Sequence, residues 1–596
     1  MDKSSTATIC HSVLEMPHRK SDAVAVSYKA DAAWQELSWT QYYEAIATVA
    51  SALLSYQVQP GDKIAIMSNT RVEWSVCDYA IMGIQAITVP IYQTVTAEDL
   101  QYMLNNSKSK ILFLENRSML KLFLKVQASC PSVEKVICFD SVRESDLQVT
   151  GWDELLAYGT QEKPDQKAEF EKLSQATRPG HIATLIYTSG TSGTPKGVVL
   201  THEQILSEIS EAFPFLGVTT DDVSLTFLPY AHVLGRIEHW GHVYVGFHMA
   251  FAESIERIKY NLTEIRPTIL ISVPRIFEKV YSSIFAQLGN SFLRNRIFKW
   301  ALSVGYQVGE LRLQRKSIPV QLFAQYELAQ RLVLHKVKDA FGGRLRFSMS
   351  GGAPISKEIA LFFHACDVLI LEGYGLTETT AAVCANTPYN YHFGSVGRPI
   401  GDVQIRIADD GEILLKSKKI MREYYEAPEL TKEVFTDGWF HTGDIGQVLP
   451  SGDLQITDRK KDLIKTGGGK YVAPQKLENL LKLNSFISNV LIHGDQKKYI
   501  VALITLDPLF MEKFAKEKNI AYSDYASLTQ HPVVLEMVRK GVAQSNTQLA
   551  AYETVKRFAV LPQDFTVESG ELTPSLKVKR KVLDQKFQKQ LTALYS

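Results

Sequence analysis

The sequence predicts an α/β protein: a large N-terminal domain of helix-covered β-sheets with a β-rich subdomain, then a smaller α+β C-terminal domain. Three observations carry this. The first two thirds of the chain alternate short β-branched runs with longer amphipathic stretches, the pattern of α/β layers. From about residue 400 the texture changes to short strands with polar turns. A cluster of charge and glycine, DRKKDLIKTGGGK at 458–470, then precedes a last stretch of mixed helix and strand. A chain of 596 residues is also too long for a single hydrophobic core. The expected division is 1–460 and 461–596.

The elements follow in order. KIAIMS (63–68), AITVPI (86–91), KILFLE (110–115), KVICFD (135–140) and ATLIYT (183–188) read as strands, and TAEDLQYMLNNS between two of them as a helix. The longest uncharged run, Ala80 to Ala97, is broken by Gly, Gln, Thr and Pro, so it reads as a buried helix leading into a strand rather than a membrane span. Residues 275–341 repeat apolar positions at three and four residues and read as a helical insertion or sheet cover. In VQIRIADDGEILLKS, Asp410-Gly411 signals a hairpin, and VLIHGDQKKYIVALITL reads as a second one.

Composition narrows the function. Lys plus Arg number 65 and Asp plus Glu 64, for a net charge of +1, so the overall field favours no nucleic-acid partner. Six scattered cysteines without CxxC spacing argue against a zinc site or a disulfide framework and suit a reducing cytoplasm. The N-terminus has no apolar run of secretory length. Peripheral membrane contact and oligomeric state, a homodimer included, stay open.

TSGTSGTPKG, residues 188–197, has too many glycines and hydroxyls to pack in a core. Glycines let consecutive N–H groups point inward as an anion-binding nest, and the hydroxyls add donors, so phosphate is the expected guest. The bland reading is a flexible linker, which a position between a buried strand and a helix disfavours. The Walker A pattern needs a hydroxyl directly after its lysine, whereas Lys196 lies between Pro195 and Gly197, so this is a different phosphate loop. Downstream, SMSGGAPIS (348–356) is another small-residue turn, and LEGYGLTETT (371–380) offers an aromatic face at Tyr374, a hydroxyl at Thr377 and a hard carboxylate at Glu378. Taken alone, YGLTE reads as a helix N-terminus capped by Thr377.

The series of motifs resembles the acyl-adenylate-forming enzymes, which include acyl-CoA synthetases, firefly luciferase and peptide-synthetase adenylation domains. The resemblance spans most of the chain in the family's order. It implies that Thr188, Ser189, Gly190, Thr191, Ser192, Gly193 and Lys196 hold the β- and γ-phosphates of ATP. By the same resemblance Gly352, Ala353 and Pro354 pack along adenine beside Tyr374 and Gly375. Thr377 meets the α-phosphate, Glu378 and Thr188 serve Mg²⁺, and Asp444 of FHTGDIG and Arg459 of DRKKD bind the ribose hydroxyls. His232 in FLPYAHVLGR is placed near the substrate carboxylate. Lys461 falls at the hinge of a small mobile α+β C-terminal domain, and Lys465, Gly467 and Gly468 fall beside the CoA thiol path. Lys577 in GELTPSLKVKRKVL takes the place of the adenylation lysine, although Leu576 stands where the common pattern has Gly. Lys579, Arg580 and Lys581 read as a solvated basic face. VPRIFEKVY and DLIKTGGGKYVAPQKLE resemble the long-chain fatty acyl-CoA branch, implying a fatty acid, ATP and CoA as partners. The competing readings are a ligase acting on a carrier-protein thiol and, from another class, a P-loop NTPase.

Overall fold

The computed structural model describes residues 8–141, 149–188, 194–288, 292–567, 569–573 and 578–596. Each apolar run named above folds as a strand. Lys63–Met67, Ile87–Ile91, Ile111–Leu114 and Lys135–Cys138 pair in parallel, and Ile182–Thr188 joins them beside Ile87–Ile91. Lys196–Thr201 and Glu423–Tyr424 then close one edge of this eight-stranded sheet in antiparallel pairing. These strands are buried on both faces, which explains why their sequences are continuous β-branched runs rather than alternating ones.

A nine-stranded sheet carries the second layer. Its central strands, Ile370–Leu376, Phe347–Ser350, Ile269–Ser272, Val223–Thr226 and His248–Phe251, run parallel in that order. One apolar core spans the two large sheets and the helices between them, including Trp39, Trp74, Trp240 and Phe277. Inside it, the Asp78 carboxylate meets Arg236 at 2.8 Å and His239 Nε2 at 3.1 Å and accepts from the Trp240 indole at 3.2 Å, fixing the register of helix Val233–Val245 on helix Val72–Gly83. The run from Ala80 to Ala97 is this latter helix followed by strand Ile87–Ile91.

Local chemistry sets the element ends. Thr96 caps helix Ala97–Ser107 by accepting the Asp99 N–H at 3.1 Å, with Glu98 and Asp99 favouring the positive end of the helix dipole. Asp410-Gly411 turns Gln404–Ile407 into Glu412–Lys416 with Gly411 at φ +85°, a backbone state that costs glycine nothing. The helical block is observed as Pro274–Leu288, Phe292–Leu313, Val320–Ala329 and shorter turns to Asp339. Helix Phe292–Leu313 lies on helix Lys357–Ala365 through Gly305, where a Cβ would stand 2.5 Å from the Ala365 carbonyl oxygen.

A five-stranded sheet, built on Gln404–Ile407, Glu412–Lys416, Trp439–Val448, Phe435–Thr436 and Leu454–Arg459, forms the β-rich part. Residues from Ile464 onward have apolar cores of their own, around the hairpin Ile487–His493/Ile500–Leu506 and strand Val555–Val560. Leu483, just past helix Pro474–Lys482, packs against the core of the first part.

Candidate active site

The hairpin that carries the phosphate-type loop is built from two antiparallel strands. Ile182–Thr188 and Lys196–Thr201 pair with Thr188 opposite Lys196, and the Thr188 hydroxyl donates to the Lys196 carbonyl at 3.4 Å. Ser189, Gly190, Thr191, Ser192 and Gly193 lie outside the described residues. The run VVLTHEQILSEIS reads as strand-like and then helical, and the structure has that order. Helix His202–Leu216 begins only after the second strand, because the β-branched run GVVLT extends the ladder before any helix can start. The loop is therefore followed by a strand and not by a helix terminus.

Lys196 leads directly to the next group. Its ammonium stands 5.0 Å from the centroid of the Tyr424 ring, and the Tyr424 hydroxyl donates to Glu378 Oε1 at 2.8 Å. Tyr424 is held there because Glu423–Tyr424 pairs with Val198 and Val199 of the hairpin. Burial, reinforced by the Glu378 charge, pushes the Tyr424 hydroxyl far above its ordinary pKa, so it remains a donor. Among the described residues no three His, Cys, Asp or Glu side chains converge as a metal site. A lone carboxylate at Glu378 with one oxygen engaged by Tyr424, and the Thr188 hydroxyl, suit a hard cation that arrives with its phosphates and keeps several waters.

Glu378 sits on a constrained turn. Strand Ile370–Leu376 passes through the one-turn 3₁₀ helix Thr377–Thr379 into the antiparallel strand Ala381–Ala385. At the bulge between Tyr374 and Gly375 the chains approach so closely that a Cβ on Gly375 would lie 1.4 Å from the Ala381 carbonyl oxygen. Thr380 and Ala381 both take positive φ, +54° and +81°, which side chains other than glycine adopt only when surroundings enforce it. The enforcement is visible. The Thr380 hydroxyl donates to the Lys419 carbonyl at 2.6 Å, the Met421 N–H to the Glu378 carbonyl at 2.6 Å, and the Ala382 N–H to Glu208 Oε1 at 3.0 Å. Lys419 in turn holds Glu208 and Glu211, each at 3.0 Å, in charge contacts that lack aligned hydrogen-bond geometry. The reading of Thr377 as a cap is corrected too. The Thr379 hydroxyl accepts the Leu376 N–H at 2.8 Å and donates to the Ala381 carbonyl at 2.9 Å, doing the work of the turn.

At the other end of the same segment, Tyr374 donates its hydroxyl to Asp444 Oδ2 at 2.7 Å. Asp444 and Arg459 are cross-strand partners, and Arg459 Nε lies 3.3 Å from Asp444 Oδ1. The Asp444 N–H donates to the Thr442 hydroxyl at 3.0 Å, which orients the carboxylate. Gly352, Ala353 and Pro354 leave the neighbouring parallel strand Phe347–Ser350 exposed, with Gly352 at φ +77°. Between these lies Glu372, whose carboxyl accepts the N–H groups of Gly394 and Ile355 and is raised to about 7 by burial.

His232 is the N-cap of helix Val233–Val245, its Nδ1 accepting the Leu234 N–H at 3.1 Å. Lys461 is exposed in the turn that follows strand Leu454–Arg459. Lys465 and Gly467 are bound within the C-terminal part, through the Lys465 N–H to Asp495 at 3.0 Å and the Gly467 N–H to the Lys497 carbonyl at 2.7 Å. Gly468 has nothing within 4 Å of a Cβ position. Lys577 lies outside the described residues. The solvated basic face is corrected at Arg580: it pairs with Glu478 at 2.6 Å and reaches the Ile492 carbonyl, with a side chain only 19% exposed.

Sequence reasoning missed Tyr424, Lys419, Glu208 and Glu372. Tyr424 belongs to a two-residue strand, too short to show any period, and Lys419 meets partners about two hundred residues away in the chain.

Comparison with known proteins adds to this geometry. Residues 15–425 match a family model described as AMP-binding enzyme, and residues 461–596 one described as AMP-binding enzyme C-terminal domain. The long-chain-fatty-acid–CoA ligase FadD15 of Mycobacterium bovis is 36% identical over 586 residues, covering 97% of this chain and 96% of its own. The peroxisomal long chain acyl-CoA synthetase 7 of Arabidopsis thaliana is 30% identical over 95% of this chain and 83% of its own. Among solved structures, the adenylation domain of a carboxylate reductase from Mycobacterium chelonae superimposes with a TM-score of 0.75 at 21% identity, over 99% of this chain and 91% of that one. That last likeness is one of fold. With both family models matched in series over nearly the whole chain, the protein belongs to the AMP-binding enzyme family.

Proposed function

We propose that the protein activates a long-chain fatty acid with ATP and passes the acyl group to CoA. The observation that carries this reading is the placement of two polar groups at the ends of one segment. Tyr374, Asp444 and Arg459 stand at one end, and Glu378, Tyr424 and Lys196 at the other. At about 3.3 Å per extended residue the ends are on the order of 10 Å apart, the reach from a ribose to the outer phosphates of a nucleoside triphosphate. Thr377 lies between them, at the α-phosphate.

In the first half-reaction a carboxylate oxygen attacks the α-phosphorus, the bond to the bridging oxygen breaks, and pyrophosphate leaves with that electron pair. The acyl-AMP anhydride then has a leaving group that a free carboxylate lacks. In the second, the CoA sulfur, having lost its proton, attacks the carbonyl carbon and AMP departs. Catalysis is mainly positioning and charge neutralisation. Asp444 accepts the ribose hydroxyls with Arg459 beside it, Lys196 and the loop neutralise phosphate, and the Tyr424 donor fixes the Glu378 carboxylate. Mg²⁺, when bound, supplies charge neutralisation on the phosphates, with Glu378 and the Thr188 hydroxyl as its protein ligands. The 461–596 part acts as the mobile domain, and the reducing cytoplasm suits six cysteines that are all free and buried.

The test is a panel of acids from acetate to stearate plus aryl acids, with ATP, Mg²⁺ and CoA, scoring AMP and acyl-CoA together. Release of ADP and inorganic phosphate would overturn the reading, and turnover with a holo carrier protein but not CoA would replace its second step. Neighbouring chain lengths should be poorly separated, because one buried methylene contributes only about 0.8 kcal/mol. Asp444→Ala is expected to raise the KM for ATP roughly ten- to hundredfold, the worth of charge-assisted hydrogen bonds, and an unchanged KM in steady-state assays would remove it from the ribose site. Lys461→Pro is expected to spare acyl-AMP formation and slow thioester formation, since it stiffens the hinge. Undiminished CoA turnover in single-turnover assays would place the hinge elsewhere.

A further inference from the structure

Two opposite charges of the candidate site share one neutral neighbour. The Glu378 carboxylate accepts the Tyr424 hydroxyl at 2.8 Å, and the Lys196 ammonium stands 5.0 Å from the centroid of the same ring. Among the described residues neither charge is in an ion pair, with the other or with a third group. Both side chains have rotatable stems, and an ammonium that meets a carboxylate forms a charge-assisted pair stronger than either contact with a neutral group. The Tyr424 ring separates them, offering the lysine a π face and the carboxylate an O–H.

The spacer is fixed by its own backbone. The Met421 N–H donates to the Glu378 carbonyl at 2.6 Å, Tyr424 pairs with Val198, and the Tyr425 N–H donates to the Gly197 carbonyl at 2.7 Å, next to Lys196. The Tyr424 N–H is taken by the Thr431 hydroxyl at 3.0 Å. One stretch of five residues, 421–425, is thus stitched both to the turn that carries Glu378 and to the strand that begins with Lys196. Gly197 is wedged between Tyr187 and Tyr425, each 3.3 Å from where a Cβ would stand, so the backbone beside the lysine is confined as well. Tyr424 itself is 5% exposed, and burial keeps its hydroxyl protonated, so it donates to Glu378 without adding a third charge.

We propose that Tyr424 is a positioning residue that holds Lys196 and Glu378 apart, keeping the ammonium available to phosphate and the carboxylate available to the cation that accompanies it. The inference rests on the ATP reading and deepens it. Without the spacer the empty site would neutralise itself, and an incoming phosphate would first have to break an ion pair.

Isothermal titration calorimetry of the full chain with α,β-methylene-ATP, which cannot be cleaved at the α-phosphorus, reads the two charges separately. Affinity in EDTA reports Lys196, and the gain on adding Mg²⁺ reports Glu378. Tyr424→Phe keeps the ring and removes the hydroxyl, so its affinity in EDTA is expected within about twofold of wild type while the gain from Mg²⁺ shrinks at least about tenfold, the usual worth of a hydrogen bond to a ligating carboxylate. Tyr424→Leu removes both, and its affinity in EDTA should also fall at least about tenfold as Lys196 closes on Glu378. Tyr424→Leu/Glu378→Gln should bring affinity in EDTA back to that of Glu378→Gln alone, because a neutral amide gives Lys196 no counter-charge. A role of the ring in packing alone would not be repaired by a change at Glu378. Unaltered thermal midpoints show that the variants are folded, and if the leucine variant does not fold, the loss of the Mg²⁺ gain in Tyr424→Phe decides the matter. Binding of Tyr424→Leu in EDTA at wild-type strength, no recovery with Glu378→Gln, or an undiminished Mg²⁺ gain in Tyr424→Phe would each overturn the proposal. A wild type that takes up no analogue would fell the ATP reading and this inference with it, whereas wild-type uptake with unaltered variants fells this inference alone.

Discussion

Lys577→Ala is expected to lower the rate of acyl-AMP formation about a hundred- to a thousandfold while leaving conversion of pre-made acyl-AMP to the thioester nearly intact. The first effect is the usual size of one preorganised contact to developing charge, roughly 3–4 kcal/mol. The second follows if the lysine serves one half-reaction only and is carried away by the 461–596 part for the other. The segment around it is anchored to that part. Val578 bridges to Leu572, the Lys579 N–H donates to the Glu571 carbonyl at 2.9 Å, and Lys586 pairs with Glu571 at 2.7 Å. The described residues on either side of it, Leu572 and Val578, are thus tied to each other within the 461–596 part. Measuring the half-reactions separately checks the assignment, and equal loss of both would end it.

Lys419→Met is expected to cost up to about 3–5 kcal/mol of stability at pH values above neutral, because it leaves two carboxylates beside each other without their cation. Glu208 is fully buried, and burial already raises its carboxyl to about 7 with Lys419 in place. Without the ammonium the rise is larger. A carboxyl whose folded pKa exceeds its unfolded value loses stability as pH climbs from the ordinary carboxylate range through the folded pKa. The deficit of the variant relative to wild type should therefore be small at pH 5 to 6, where the Glu208 carboxyl is protonated in both, and widen as pH climbs past about 7. Thermal midpoints across that range measure it. Lys419→Met/Glu208→Gln should recover much of the loss, since Gln keeps an acceptor for the Ala382 N–H. A loss independent of pH, or no recovery, would show that packing rather than charge is responsible. The same variant should raise the KM for ATP, because Lys419 and Glu208 brace the turn that carries Glu378.

Much of this architecture could be read from the residues. The buried strands announce themselves as β-branched runs, the Asp410-Gly411 hairpin by its turn chemistry, and the helical block by apolar spacing, because these signals are local. Asp444 and Arg459 were legible as motif members and prove to be cross-strand partners. What could not be read depends on distance in the chain. Nothing near Tyr424 says that a two-residue strand will lay it over Lys196, and nothing near Lys419 says that its partners are on helix His202–Leu216. Arg580 looked like surface because its neighbours are lysines, yet Glu478, about a hundred residues earlier, takes it out of solvent. His232 shows the reverse. Its motif suggests chemistry, and the fold uses it first as a helix cap.

The hydrogen bond from Tyr374 to Asp444 joins two bodies that are otherwise separate sheets: the nine-stranded sheet supplies the tyrosine and the five-stranded sheet the carboxylate. A ligand gripping both would act as a rivet across that seam. Its binding energy adds to the work of prising the sheets apart, in proportion to the logarithm of its concentration over its dissociation constant. Amide hydrogens along Trp439–Val448 and Ile370–Leu376 should then exchange together, slowing in step as nucleotide is added, while those of Ile500–Leu506 keep their own pace.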